Sequence, residues 1–284
     1  MKIKRILYCH RGALGDFILS WYGLKLLKEK FLCEFTGLGR PEYLRLAKEF
    51  NLCDRILDCE SAIFLDFFQG KRLPELLTGF DAAILWLNKG EEISSLLSVN
   101  CPKVLTIKPF TGHTHIGIRY FTEISNFFLE KELNINSFFS PRIAYGKKPV
   151  LIHPGSGSLK KNLPTKFYLD LSEKILGKGF ECKFLFGNIE KENGIFKDFP
   201  PDKSIFPSNC IELKETLLLA SAFIGNDSGP GHLAAFCGVP VFTIFRDTDA
   251  RLWHPLGNYV SYSYAHNLSA LSDKIISFVY EINY

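Results

Sequence analysis

No apolar run in this sequence approaches the ~18–20 residues that a membrane-spanning helix needs. The start, Met1-Lys2-Ile3-Lys4-Arg5, is basic. It runs into a short strand and a Gly loop, without the apolar core and small-residue cleavage site of a signal peptide. The eight cysteines are Cys9, Cys33, Cys53, Cys59, Cys101, Cys182, Cys210 and Cys237, and no pair has CxxC spacing. That argues against a disulfide or metal framework. Several sit in apolar contexts, where a free thiol acts as a small hydrophobe, so a reducing, cytoplasmic setting is expected. A net charge of +4 over 284 residues shows no concentrated basic patch, so no nucleic-acid partner is expected. Tandem repeats, low-complexity tracts and a GxSxG elbow are absent too, the last arguing against an esterase-type triad.

What remains, 46% hydrophobic and 23% charged, is an ordinary globular composition with ample core. Its most informative stretch is Gly225-Asn226-Asp227-Ser228-Gly229-Pro230-Gly231-His232. It lies between the short apolar run Ala222-Phe223-Ile224 and a helical run ending at Gly238, with a second strand at Val241-Phe242-Thr243-Ile244-Phe245. A Gly-rich strand-to-helix loop offers free backbone N–H groups and a helix dipole to a phosphorylated ligand.

Two halves look alike in kind. Ile6-Leu7-Tyr8-Cys9 leads into Arg11-Gly12-Ala13-Leu14-Gly15-Asp16 and a helix, and Val150-Leu151-Ile152 leads into His153-Pro154-Gly155-Ser156-Gly157-Ser158. A helix from about Thr165 places Tyr168, Leu171 and Ile175 on one face. Further strands are expected at 82–87, Lys103–Ile107 and 183–186, and helices at 42–50, 118–133, 215–221 and 272–282. Alternating strands and helices predict an α/β protein with parallel sheets. The polar Gly146-Lys147-Lys148-Pro149 marks the boundary between domains at 1–147 and 148–284, with the last helix free to pack on either.

Asp16 sits where the first strand hands over to the first helix, as a general base or as a helix cap; the Gly12/Gly15 spacing is neither a GxGxxG fingerprint nor a P-loop. A lysine of Lys160-Lys161 is placed to neutralise a diphosphate or to lie solvated in its loop, with Ser156 and Ser158 as additional hydroxyls. His232, on the first helical turn, reads either as a donor to a phosphate oxygen or as a packed histidine. The His113/His115 pair lacks a third ligand, and Asp247/Asp249 read as turn formers, so no metal site is expected.

Together these motifs resemble glycosyltransferase family 9, the lipopolysaccharide heptosyltransferases. The resemblance is carried by Arg11 to Ile18, by His153-Pro154-Gly155-Ser156 with Lys161-Asn162-Leu163-Pro164, by Gly225 to Ala235, and by Phe245 to Asp249 with His254-Pro255-Leu256-Gly257. It implies a GT-B architecture: two Rossmann-like domains facing across a cleft, the first taking the acceptor and the second the nucleotide-sugar donor. It further implies inverting, metal-independent transfer with no cofactor, of heptose from ADP-heptose onto a lipopolysaccharide core or related lipid-linked glycan, at the cytoplasmic face of a membrane. Carried over by position, Asp16 is the base; Lys161, Ser228, Gly229 and His232 contact the donor diphosphate; Asp227 shapes their loop. The chain departs from the family pattern at Gly231, where a larger residue is common, at Leu163 (an aromatic) and at Arg246-Asp247 (Gly-Pro). A nucleotide-sugar epimerase of GT-B type and a non-catalytic nucleotide-sugar binding protein are the alternatives.

Overall fold

The computed structural model describes residues 3–88, 90–108, 112–142 and 148–283. The chain divides into two compact units, Met1–Phe138 and Phe139–Tyr284. Of the segment expected to separate the domains, Gly146 and Lys147 lie outside the described residues, whereas Lys148 and Pro149 lead into the first strand of the second unit.

In the first unit the strands are β1 (Arg5–His10), β2 (Glu34–Gly39), β3 (Arg55–Asp58), β4 (Ala82–Trp86) and β5 (Lys103–Ile107). Among the described residues they form one parallel sheet in the order β3-β2-β1-β4-β5. β1 and β4 are buried along nearly their whole length, which explains their unbroken apolar runs. The Leu14–Phe31 helix is also buried around most of its circumference, from Phe17 through Leu24 and on to Leu27. It packs against the Ile116–Leu129 helix so closely that a Cβ on Gly23 would stand 2.3 Å from Ile124 Cδ1. The latter helix begins two residues before the expected 118 and stops four before 133, where Glu130 turns left-handed.

The second unit contains β6 (Val150–His153), β7 (Cys182–Leu185), β8 (Ser204–Ile205), β9 (Ala222–Asn226), β10 (Val241–Phe245) and β11 (Val260–Tyr264). Its described strands are again all parallel, in the order β11-β10-β9-β6-β7-β8. The Thr165–Leu176 helix starts where Pro164 predicts, and it buries Tyr168, Leu171 and Ile175 as its spacing requires. The helix expected at 215–221 instead runs Cys210–Leu218, because Asn209 caps it by accepting from Ile211 N and Glu212 N. The last helix, Leu268–Glu281, is capped by Asn267. Leu271, Ile275 and Phe278 join the core formed by Tyr168, Phe184 and Phe242, so this helix packs on the second unit's own sheet.

Two parallel sheets with alternating helices give the chain a GT-B-like α/β fold. In each sheet the strand order reverses beside the first strand, between β1 and β4 and between β6 and β9. Ligands of open α/β sheets bind at the carboxyl ends of the strands flanking such a reversal. Every expected site residue lies on a loop or first helical turn after β1, β6 or β9.

Candidate functional site

In the first unit, Asp16 is the third residue of the Leu14–Phe31 helix; Ala13, with extended backbone, occupies the cap position. A cavity of about 540 Å³ opens between the loops after β1 and β4, lined among others by His10, Arg11, Asp16, Trp86, Asn88 and Tyr120. The Arg11 guanidinium lies over the Phe68 ring, 4.4 Å from its centre. Burial, followed by the charge of Asp16, pushes the Tyr120 hydroxyl upward, which marks Asp16 as the charge facing this wall. His10 is buried against Phe17 and Trp86. Its Nδ1 accepts from Gly12 N at 3.2 Å, and burial lowers its pKa to about 3, so it is a neutral imidazole with its proton on Nε2. It thereby fixes the loop that delivers Asp16.

In the second unit the loops after β6 and β9 meet. Asn226, the last residue of β9, is fully buried. Its Nδ2 donates to Pro154 O at 2.8 Å and Gly155 O at 3.2 Å, and its Oδ1 accepts from Tyr168 O–H at 2.7 Å. This amide clamps the two loops together. Asp227 Oδ2 then accepts from Lys161 Nζ at 2.6 Å and from Thr248 Oγ1 at 2.7 Å. Lys161, Asp227 and Thr248 thus form one cluster on loops from three strands. Ser228 precedes the Gly229–Phe236 helix, with Pro230 in the first turn, where proline's missing N–H is harmless. His232 follows on that turn, 5% exposed. Burial lowers its pKa to about 4, against the opposing pull of Asp227, so its ring is neutral at pH 7.

Other expected residues play different parts. Ser156 is buried, and its hydroxyl lies 2.7 Å from both Ser158 O and Asn162 Oδ1, so it is committed to shaping its own loop. Ser158 is exposed at the start of the Leu159–Lys161 turn. His115 caps a helix, its Nδ1 accepting from Gly117 N, and Asp249 caps the Ala250–Trp253 helix while pairing with Arg251. Among the described residues no group of three or more His, Cys, Asp or Glu is placed to hold a metal ion.

The sequence model of glycosyltransferase family 9 (heptosyltransferase) matches residues 119–275, more than half of the chain. The chain belongs to glycosyltransferase family 9. It is therefore a glycosyltransferase of heptosyltransferase-like fold. Solved structures agree at the level of fold. E. coli ADP-heptose lps heptosyltransferase II shares 12% identity at a TM-score of 0.76, with 98% of this chain and 99% of that one covered. E. coli heptosyltransferase WaaC, solved with ADP, shares 16% at a TM-score of 0.74 over 98% and 99%. The glycosyltransferase family 9 protein of Veillonella parvula shares 14% at 0.77 over 99% and 98%. No curated protein sequence matches this one.

Several residues in and around this candidate site escaped the sequence reading. Asn226 and His153 stand inside quoted motifs but carry no sign of what they touch. Thr248 is an unremarkable hydroxyl until the sheet brings β10 beside β9. Arg246, one of the departures from the family pattern, donates to Asn162 O at 2.7 Å and so braces the residue next to Lys161. Glu190, 3% exposed, has no local sequence signal at all.

Proposed function

We propose that this enzyme transfers heptose from ADP-heptose, with inversion and without a metal or other cofactor, onto a lipopolysaccharide core or related lipid-linked glycan. The observation that carries this reading is the Lys161–Asp227 pair at the start of the Gly229–Phe236 helix, beside the reversal in strand order. A cation, oriented N–H groups and a neutral histidine there suit a nucleoside diphosphate. The similarly folded WaaC carries ADP.

In this reading Asp16 takes the proton of an acceptor hydroxyl as that oxygen attacks the anomeric carbon. The bond from the anomeric carbon to the diphosphate oxygen breaks, and its electron pair leaves with the ADP. Lys161, the backbone of Ser228-Gly229 and a His232 N–H stabilise that departing charge. Asp227 holds Lys161 in place and shapes the loop. The Ser156 hydroxyl supports the loop through Asn162 Oδ1 and the backbone of Ser158.

The test is ADP release from ADP-heptose in excess EDTA, with and without an acceptor glycan. Release should require acceptor, proceed in EDTA and yield the inverted anomer. Release of free nucleotide without acceptor would point to an epimerase. Loss of activity in EDTA, restored by Mg²⁺, would overturn the metal-independent mechanism.

A further inference from the structure

Behind the proposed diphosphate site, two buried side chains that the mechanism above leaves unused lead to the hydroxyl of half-buried Ser228. His153 ends β6 and Glu190 stands on the Asn188–Glu192 helix after β7; each is 3% exposed. His153 Nδ1 is 3.3 Å from Ser228 Oγ, and its Nε2 is 3.7 Å from Glu190 Oε2. Glu190 is itself held rigidly. Its Oε2 accepts from Gly187 N at 2.7 Å, while Oε1 lies so close to Gly155 that a Cβ there would stand 2.0 Å from it. Burial pushes the Glu190 carboxyl up, but the His153 imidazole and the Gly187 N–H outweigh it and hold it below the usual range, so it is ionised at neutral pH.

Ser228 occupies the cap position of its helix, yet its side chain makes no capping hydrogen bond; the hydroxyl turns to His153 instead. A hydroxyl has a single proton. If that proton is given to a neutral His153 Nδ1, Ser228 presents only lone pairs to an incoming phosphate. If Nδ1 carries a proton and donates to Oγ, the Ser228 proton is released to donate to a phosphate oxygen. Nε2 faces a carboxylate, which favours a proton on that side as well. Among the described residues, Glu190 is the charged group within ion-pair reach of the ring, Ser228 faces its other nitrogen, and Phe223 of β9 packs 6.1 Å away, centre to centre. Asp227 and Lys161 are paired with each other, and His232 lies on the helix beyond them.

We propose that Glu190 is a positioning residue: it holds the His153 ring with Nδ1 at Ser228 Oγ, so that the Ser228 hydroxyl is kept off the N–H groups of its own helix and aimed at the diphosphate. This rests on the reading that Ser228 meets the donor diphosphate.

Calorimetry with ADP and with adenosine at pH 7.5 tests this on the full chain. Glu190→Gln keeps the shape and the Gly187 contact. It should weaken ADP binding roughly tenfold, the scale of one hydrogen bond to a charged group, and leave adenosine binding unchanged. His153→Asn should weaken ADP binding to a similar degree and likewise spare adenosine. In the Ser228→Ala background, Glu190→Gln should cost nothing further, because the effect runs through that hydroxyl. Wild-type ADP affinity in Glu190→Gln would overturn the proposal. Should that variant not fold, wild-type ADP affinity in His153→Asn would overturn it instead. If Ser228→Ala binds ADP like the wild type, it is the diphosphate reading that fails.

Discussion

Replacing Lys161 with methionine should separate recognition of the diphosphate from recognition of the rest of the donor. The Lys161 ammonium sits 2.6 Å from Asp227 Oδ2, with side-chain exposures of 26% and 9%. At an effective dielectric constant near 20 this pair has a gross attraction of about 6 kcal/mol. Desolvation of both groups cancels most of that, so the pair's net contribution is small beside its gross attraction. Thr248 remains as a second donor to the same carboxylate oxygen, so Asp227 is not stranded and the variant should fold. Against ADP, methionine removes a charge-assisted hydrogen bond worth about 1.5–3 kcal/mol, a weakening of roughly 10- to 150-fold. AMP should lose less and adenosine almost nothing. The wild type's preference for ADP over adenosine should shrink with added salt, since Lys161 is partly exposed, and the variant should show a shallower salt dependence. Titration calorimetry with the three ligands at two ionic strengths reads all of this. Equal losses for ADP, AMP and adenosine would mean that Lys161 supports the loop and not the phosphates.

Other outcomes follow from the same geometry. Asp16→Asn should preserve the fold and ADP binding while lowering turnover by roughly 10²–10⁴-fold; a near-wild-type rate would remove Asp16 as the base. His10 and His232 are held neutral by burial, with pKa values of about 3 and about 4. The unfolded chain therefore takes up protons below about pH 6.5 that the folded chain refuses. Stability should fall from pH 6.5 towards 4, by up to about 1.4 kcal/mol per pH unit for each ring. Urea denaturation of the wild type against His10→Gln across that range checks the slope; an unchanged slope would show that His10 is charged in the fold. Gly155→Ala should destabilise the protein by about 1–3 kcal/mol, because its methyl group would have to displace the buried Glu190 carboxylate. A urea midpoint equal to that of the wild type would show that Glu190 yields freely.

The features legible in the sequence were those whose cause is local. Buried central strands such as β1, β4, β9 and β10 announce themselves as apolar runs, and the Thr165–Leu176 helix does so through the spacing of Tyr168, Leu171 and Ile175. Loop motifs placed Asp16, Lys161, Asp227, Ser228 and His232 at strand ends, because a Gly-containing turn from strand to helix is built from consecutive residues. Elements that depend on a neighbour were silent. β2, Glu-Phe-Thr-Gly-Leu-Gly, reads as a loop until β1 and β3 flank it, and half-exposed β11 has an apolar side only where it meets β10. The same holds within the site. Lys161 and Asp227 are 66 residues apart, and nothing near either one names the other. Glu190 is an ordinary helical glutamate in sequence and a buried partner of His153 in the fold. Sequence alone determined which loops carry the candidate residues. Tertiary structure decided which side chains meet, because the reversal in strand order sets β6 beside β9, and only that adjacency brings their distant loops within hydrogen-bond reach.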